Sequence, residues 1–147
     1  VVERHQGTGN VACGFLKGYG IKEGAVALSV AHDSHNIIVV GVSDEEMEFA
    51  VNSLIKQEGG IVLVKEGKVI ESMPMPIAGL MSDQSGEWVD EKLTAIHAKA
   101  YEELGIAGDV EPVMTLCFMS LAVIPEVKLT DMGLFDVTTF SFIPVEA

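Results

Sequence analysis

Val26-Ala27-Leu28-Ser29-Val30-Ala31-His32-Asp33-Ser34-His35-Asn36-Ile37-Ile38-Val39-Val40-Gly41 is two apolar runs with a polar knot between them. The flanks, residues 26–31 and 37–41, are short, rich in β-branched residues and uncharged, the pattern of strands buried in a core. A connection that only had to turn would use Gly, Pro or Asn-Gly chemistry. Two imidazoles, a carboxylate, a hydroxyl and an amide are costly there unless something uses them. The pair of runs therefore predicts a sheet, and His32, Asp33, Ser34, His35 and Asn36 are its first candidates for chemistry.

Outward from this pair, residues 10–16 read as a further strand, entered through Gln6-Gly7-Thr8-Gly9. Lys17-Gly18-Tyr19-Gly20 and Lys22-Glu23-Gly24 are turn material. Ser43-Asp44-Glu45-Glu46 is a capping box, followed by Met47, Ala50, Val51 and Leu54 at helical spacing, with Gly59-Gly60 as the stop. Residues 61–64 and 69–73 predict a hairpin turning at Glu66-Gly67, its second strand ended by Pro74 and Pro76. A long helix is expected over residues 85–104, with the stripe Val89, Leu93, Ile96, Ala100 and Leu104 and with Glu87, Asp90 and Glu91 crowding its first turns. The apolar run 113–124 fits one strand, two strands, or a strand and a helical turn. Residues 129–134 read as a turn and 139–145 as a final strand. About six or seven strands with two helices, hairpins mixed with crossovers, predict an α+β domain: mixed or antiparallel sheets covered by helices, and no (β/α)8 barrel in this chain.

The 147 residues suit a single domain with a real core. Hydrophobic content of 48% and a mean hydropathy of +0.36 are high for that size, so part of the apolar surface is expected to face another domain. A formal charge of -13 argues against nucleic acid and against an anionic membrane surface as partners. No stretch reaches the roughly 20 apolar residues of a transmembrane helix. Cys13 and Cys117 lie in apolar runs, which predicts buried free thiols and a reducing compartment. The start, Val1-Val2-Glu3-Arg4-His5, has no initiator Met and reads as a piece of a longer protein; its charges read as a solvated start unless the terminus packs.

Three readings of the loop are open at this point. His32, Asp33 and His35 are ligand types for zinc, manganese or iron, but no second cluster accompanies them. Asp33 and Asn36 could instead cap backbone amides while the imidazoles bond locally. Or the loop completes an active site built mostly by another domain. Ser34 beside His35 and Asp33 is no triad, because neighbours in an extended loop point apart. His97, next to the buried stripe, is expected at the edge of its helix surface.

Five segments in order then carry a resemblance: Glu3-Arg4-His5; Gly14-Phe15-Leu16-Lys17-Gly18-Tyr19-Gly20; Ala31-His32-Asp33-Ser34-His35-Asn36-Ile37; Pro74-Met75-Pro76-Ile77-Ala78-Gly79-Leu80-Met81-Ser82; and Ile124-Pro125-Glu126-Val127-Lys128-Leu129-Thr130-Asp131 with Gly133-Leu134. Over nearly its whole length the chain resembles the carboxy-terminal domain of bacterial and archaeal adenine deaminases, of the amidohydrolase superfamily. The resemblance implies a parent enzyme of purine salvage, cytoplasmic, that hydrolyses adenine to hypoxanthine and ammonia. It implies manganese or iron in a (β/α)8 barrel, where a metal-bound hydroxide attacks C6 of the purine. The barrel's His-x-His ligand motif is absent here, so no metal is expected in this chain alone, and the isolated chain is expected to be inactive. Its partners would be adenine, the barrel of the same protein and further copies in a homo-oligomer. His32, Asp33 and His35 would then serve catalysis, and Ser34 and Asn36 the substrate, at the mouth of that barrel. The alternative is a structural or dimerisation module that makes no catalytic contribution.

Overall fold

β1 (Ala25–Leu28) is buried on both faces because its small and large side chains alternate. Ala25 and Ala27 turn to α1 (Asp44–Lys56), where Ala50 and Leu54 close over them. Val26 and Leu28 turn the other way, into the core shared with α2 (Gly86–Glu102) through Ile96 and Ala100. β3 (Gly60–Lys65) repeats the alternation, with Val62 and Val64 on the α1 side and Ile61 and Leu63 on the α2 side. β2 (Ile38–Gly41) and β4 (Lys68–Pro74) flank this pair, giving an antiparallel sheet in the order β2-β1-β3-β4. The registers that fix the alternation are Val26 opposite both Val40 and Leu63. A helix thus lies on each face of the sheet.

The computed structural model describes residues 1–146. α3 (Met114–Cys117) is a single short turn of helix. β5 (Val127–Thr130), β6 (Gly133–Asp136) and β7 (Ser141–Ile143) form a second antiparallel sheet in chain order, tied to the core through Leu129. The expected α+β class stands, with both sheets antiparallel and no barrel. No helix is long and apolar enough to cross a membrane among the described residues.

Both expected helices form. Ser43 Oγ accepts from Glu46 N at 3.3 Å and Ser85 Oγ from Trp88 N at 3.3 Å. Only half of the capping box closes, however. The Glu46 carboxylate accepts from Gly67 N in the β3–β4 turn at 3.2 Å, a donor that the hairpin leaves free. Other expectations are corrected. Residues 10–16 are not a strand; among the described residues only Val11 makes a bridge, to Val2, and Phe15 is 96% exposed. The run 113–124 is α3 followed by turns, because Pro112 and successive i→i+3 bonds hold it in tight turns. Residues 129–134 are the inner ends of β5 and β6 around Asp131 and Met132, a hairpin in place of the expected turn alone. Cys117 is buried but Cys13 is exposed, since the strand that was to bury it does not form.

Gly60 marks how closely the backbone packs at the start of β3. It has φ +106, and a Cβ there would lie 2.0 Å from the Met73 carbonyl oxygen. Gly60→Ala is therefore expected to destabilise the protein by more than about 2 kcal/mol in urea unfolding, by backbone strain and by pushing β4 off β3. A loss below about 0.5 kcal/mol would contradict this packing.

Candidate functional site

The loop between β1 and β2 leaves the sheet at Ser29, which is buried. Ser29 Oγ donates to Gly79 O at 2.5 Å and accepts from Gly60 N at 2.8 Å. This hydroxyl brings the segment 74–82, from beyond β4, against the exit of β1. Arg4 completes the junction. Its Nε donates to His35 O at 2.5 Å and its Nη2 to Ala78 O at 2.8 Å, while its own amide donates to Asn36 Oδ1 at 3.4 Å. Gly79 makes room for this: at φ +71, a Cβ there would sit 2.7 Å from Arg4 Nη1. His5 follows, with Nε2 donating to Ser34 O at 2.7 Å.

The five loop residues have distinct surroundings. His32 stacks on Phe118, with centroids 4.9 Å apart, and its amide donates to Cys117 O at 2.9 Å. Asp33 points to solvent, its side chain 89% exposed, with Oδ1 3.9 Å from His32 Nδ1. Ser34 is exposed, and its Oγ accepts from Asn36 N at 3.4 Å. Asn36 is buried, and its Nδ2 donates to Asp131 Oδ1 at 3.2 Å, so both ends of its amide bond within the protein. His35, at φ 50, folds back on the start of the loop. Its N donates to Ala31 O at 2.5 Å, and Ala31 N donates to His35 Nδ1 at 3.3 Å.

That last bond decides a tautomer. A backbone N–H can only donate, so His35 Nδ1 is an acceptor and carries no proton. The neutral ring then bears its proton on Nε2, which makes no hydrogen bond among the described residues. Desolvation at this half-buried position lowers the His35 pKa, and the neighbouring His32 and Arg4 lower it further. His35 is thus held as a neutral imidazole with a free Nε2–H. It lines an open cleft of ≈ 500 Å³ with Arg4, His5, Glu58, Ala78 and Leu80.

The donor set does not fit a manganese or iron site. His32 and His35 ring centroids lie 6.1 Å apart and tilted, with Asp33 turned out to solvent. No group of three or more His, Cys, Asp or Glu side chains is placed to hold a metal ion among the described residues. His97 sits at the half-exposed helix edge, as expected, with Nε2 2.7 Å from Glu111 Oε1.

Arg4, His5 and Asp131 are the neighbours that reading the loop alone missed. The start is no solvated tail: Val2 exchanges hydrogen bonds with Ile37 at 2.8 and 2.9 Å. Glu3 orders the following turn, its carboxylate accepting from the Thr8, Gln6 and His5 amides, which hold its pKa down to about 2. The available signal was Val1-Val2 directly ahead of the charges, an apolar pair that a sheet can take up.

A family model described as the adenine deaminase C-terminal domain matches residues 1–141. The chain belongs to that family. It is 76% identical over 147 residues to "Adenine deaminase 2" of Desulfotalea psychrophila, covering 100% of this chain and 26% of that protein. It is 54% identical over 145 residues to an adenine deaminase of Nitratidesulfovibrio vulgaris, covering 99% of this chain and 25% of that one. It is 52% identical over 143 residues to an adenine deaminase of Halalkalibacterium halodurans, covering 97% and 24%. The adenine deaminase C-terminal domain thus spans about a quarter of the length of the curated relatives it matches.

Two outcomes check this geometry. Arg4→Ala should cost roughly 1.5–3 kcal/mol in urea unfolding, the range for hydrogen bonds involving a charged group, and Arg4→Lys should not restore it because a single ammonium nitrogen lacks the planar fork. Equal stability of Arg4→Ala and the unmodified chain would remove the junction. By NMR, His35 should titrate below the ordinary histidine value of about 6.5. A depressed pKa means that stability from the neutral ring is present above about pH 6.5 and is lost as pH falls through the lowered value. A His35 titration above about 6.5 would contradict the Ala31 bond.

Proposed function

We propose that this domain serves the hydrolysis of adenine to hypoxanthine and ammonia, presenting the loop 32–36 at the mouth of a catalytic barrel in the same longer protein. The chemistry of manganese or iron belongs to that barrel, and this chain's part is to hold, orient and enclose. The observation that carries the reading is the bond from Ala31 N to His35 Nδ1, which leaves Nε2, on the far side of the ring, to carry the proton of the neutral imidazole. N1, N3 and N7 of adenine are acceptors, while its exocyclic amine, like its N9–H, is a donor. His35 suits the first of these roles and the exposed Asp33 carboxylate the second, with Ser34 beside them. His32 and Asn36 act through the loop, by stacking on Phe118 and by bonding to Arg4 and Asp131. Exposed apolar side chains, among them Phe140 at 78% and Met132 at 70%, support docking against the barrel or a second copy. Free thiols at Cys13 and Cys117 fit a reducing, cytoplasmic setting.

A second reading, a structural or dimerisation module, is favoured by the buried Asn36, whose amide bonds inside the protein through both its oxygen and its nitrogen. The readings part on turnover. In the longer protein, His35→Ala is expected to lower kcat/KM for adenine about 10²-fold with the fold intact by circular dichroism. His35→Gln, which keeps an N–H donor, should recover part of the loss. Unchanged kcat/KM in folded His35→Ala would overturn the proposal and leave the structural module.

A further inference from the structure

Residues 1–3 run extended between two other segments and bridge to both. On one side Val2 pairs with Ile37; on the other, Ala12 N donates to Val1 O at 3.0 Å and Glu3 N to Asn10 O at 3.0 Å. Past Val1 the two walls go on. One is β2, an edge of the four-stranded sheet, and the other is residues 13–16. Between them lies a groove of ≈ 850 Å³, mainly apolar, whose walls include Cys13, Phe15, Leu16, Val39, Val40 and Val42.

Both walls present backbone that a strand could pair with. In an antiparallel ladder, alternate residues turn N–H and C=O to the same side. Ile37 turns its pair to Val2, so Val39 and Gly41 turn theirs into the groove. Neither makes a backbone hydrogen bond on that side among the described residues. The amides of Cys13, Gly14, Phe15 and Leu16 also have no backbone acceptor among the described residues. An exposed strand edge of this kind is a template for another strand.

We propose that the groove receives one extended strand, antiparallel to β2 and collinear with residues 1–3, supplied by the sequence that precedes this domain in the family's longer proteins. The register is set by Val2 opposite Ile37. Continued in steps of two, the residue two places ahead of Val2 meets Val39, and the residue four places ahead meets Gly41. The family is a C-terminal domain and its curated relatives are about four times as long, so a strand in cis has a source. The walls call for apolar side chains on the incoming strand. Residues 10–16, apolar and strand-like in sequence yet unpaired past Ala12, gain the partner their pattern suits. The strand leads directly into Arg4, so the rest of the polypeptide reaches the His35 loop through one hydrogen-bonded line.

Amide hydrogen exchange on the longer protein tests this, read against unstructured-peptide rates at two protein concentrations. Val39 and Gly41 are expected to be protected about 10³-fold or more at both. Placing Pro immediately ahead of Val1 removes the N–H that faces Val39. It should lower protection at Val39 at least about tenfold while β1 stays protected. Fast exchange at Val39 and Gly41 in the unmodified longer protein overturns the proposal. Protection unaffected by the proline overturns the assignment to that segment. Protection that vanishes on dilution overturns it too, giving the groove to a second copy.

Discussion

The Arg4 guanidinium joins the carbonyls of His35 and Ala78, and its own amide bonds to Asn36, so one residue near the start of the chain ties the β1–β2 loop to the segment beyond β4. The loop depends on this junction because it has little apolar anchorage of its own: its side chains are a carboxylate, a hydroxyl, an amide and two imidazoles. Arginine suits the place because its rigid planar fork holds separate nitrogens toward two carbonyls at once, a spread that the single ammonium nitrogen of lysine does not reproduce. Gly79 is the matching constraint, since a side chain there would displace the guanidinium.

The sheet supplies the rigidity on which the junction rests. β1 and β3 are buried on both faces, with alanine and valine toward α1 and larger side chains toward α2. Ser29 and Gly60 sit where these strands begin and end, and the Ser29 hydroxyl carries that order to Gly79 and so to Arg4. A polar loop can thus be held in one conformation, its backbone and the Asn36 amide bonded within the protein, which is the condition for presenting a single ring nitrogen in a defined direction. The second sheet adds one contact to it, from Asp131 to Asn36.

Much of this was legible in the residues. The Ser43 cap, the helical stripes and the Glu66-Gly67 turn are local signals, and each led to the observed element. The strands around the loop were legible for a related reason, since uncharged β-branched runs have few other places to go, but only β1 is buried throughout, because β2 lies at the edge of the sheet and is half-buried beyond Ile38. Residues 10–16 misled because a strand needs a partner as well as a pattern, and among the described residues Val1–Glu3 pair with residues 10–12 alone. The run 113–124 misled because apolar content alone does not distinguish a strand from turns packed on a core. Within the site, the loop was found from its composition. Arg4 and Asp131 were not, because their bonds to it span most of the chain and leave no mark at the positions themselves.

Nitrogen-15 NMR of the imidazoles at neutral pH reads the central point, that His35 is preset as a neutral ring with its proton on Nε2. The expected spectrum shows His35 Nδ1 unprotonated and Nε2 protonated, a preference that weakens in Arg4→Ala as the loop is released. A proton on His35 Nδ1, or an imidazolium at pH 7, would contradict the account.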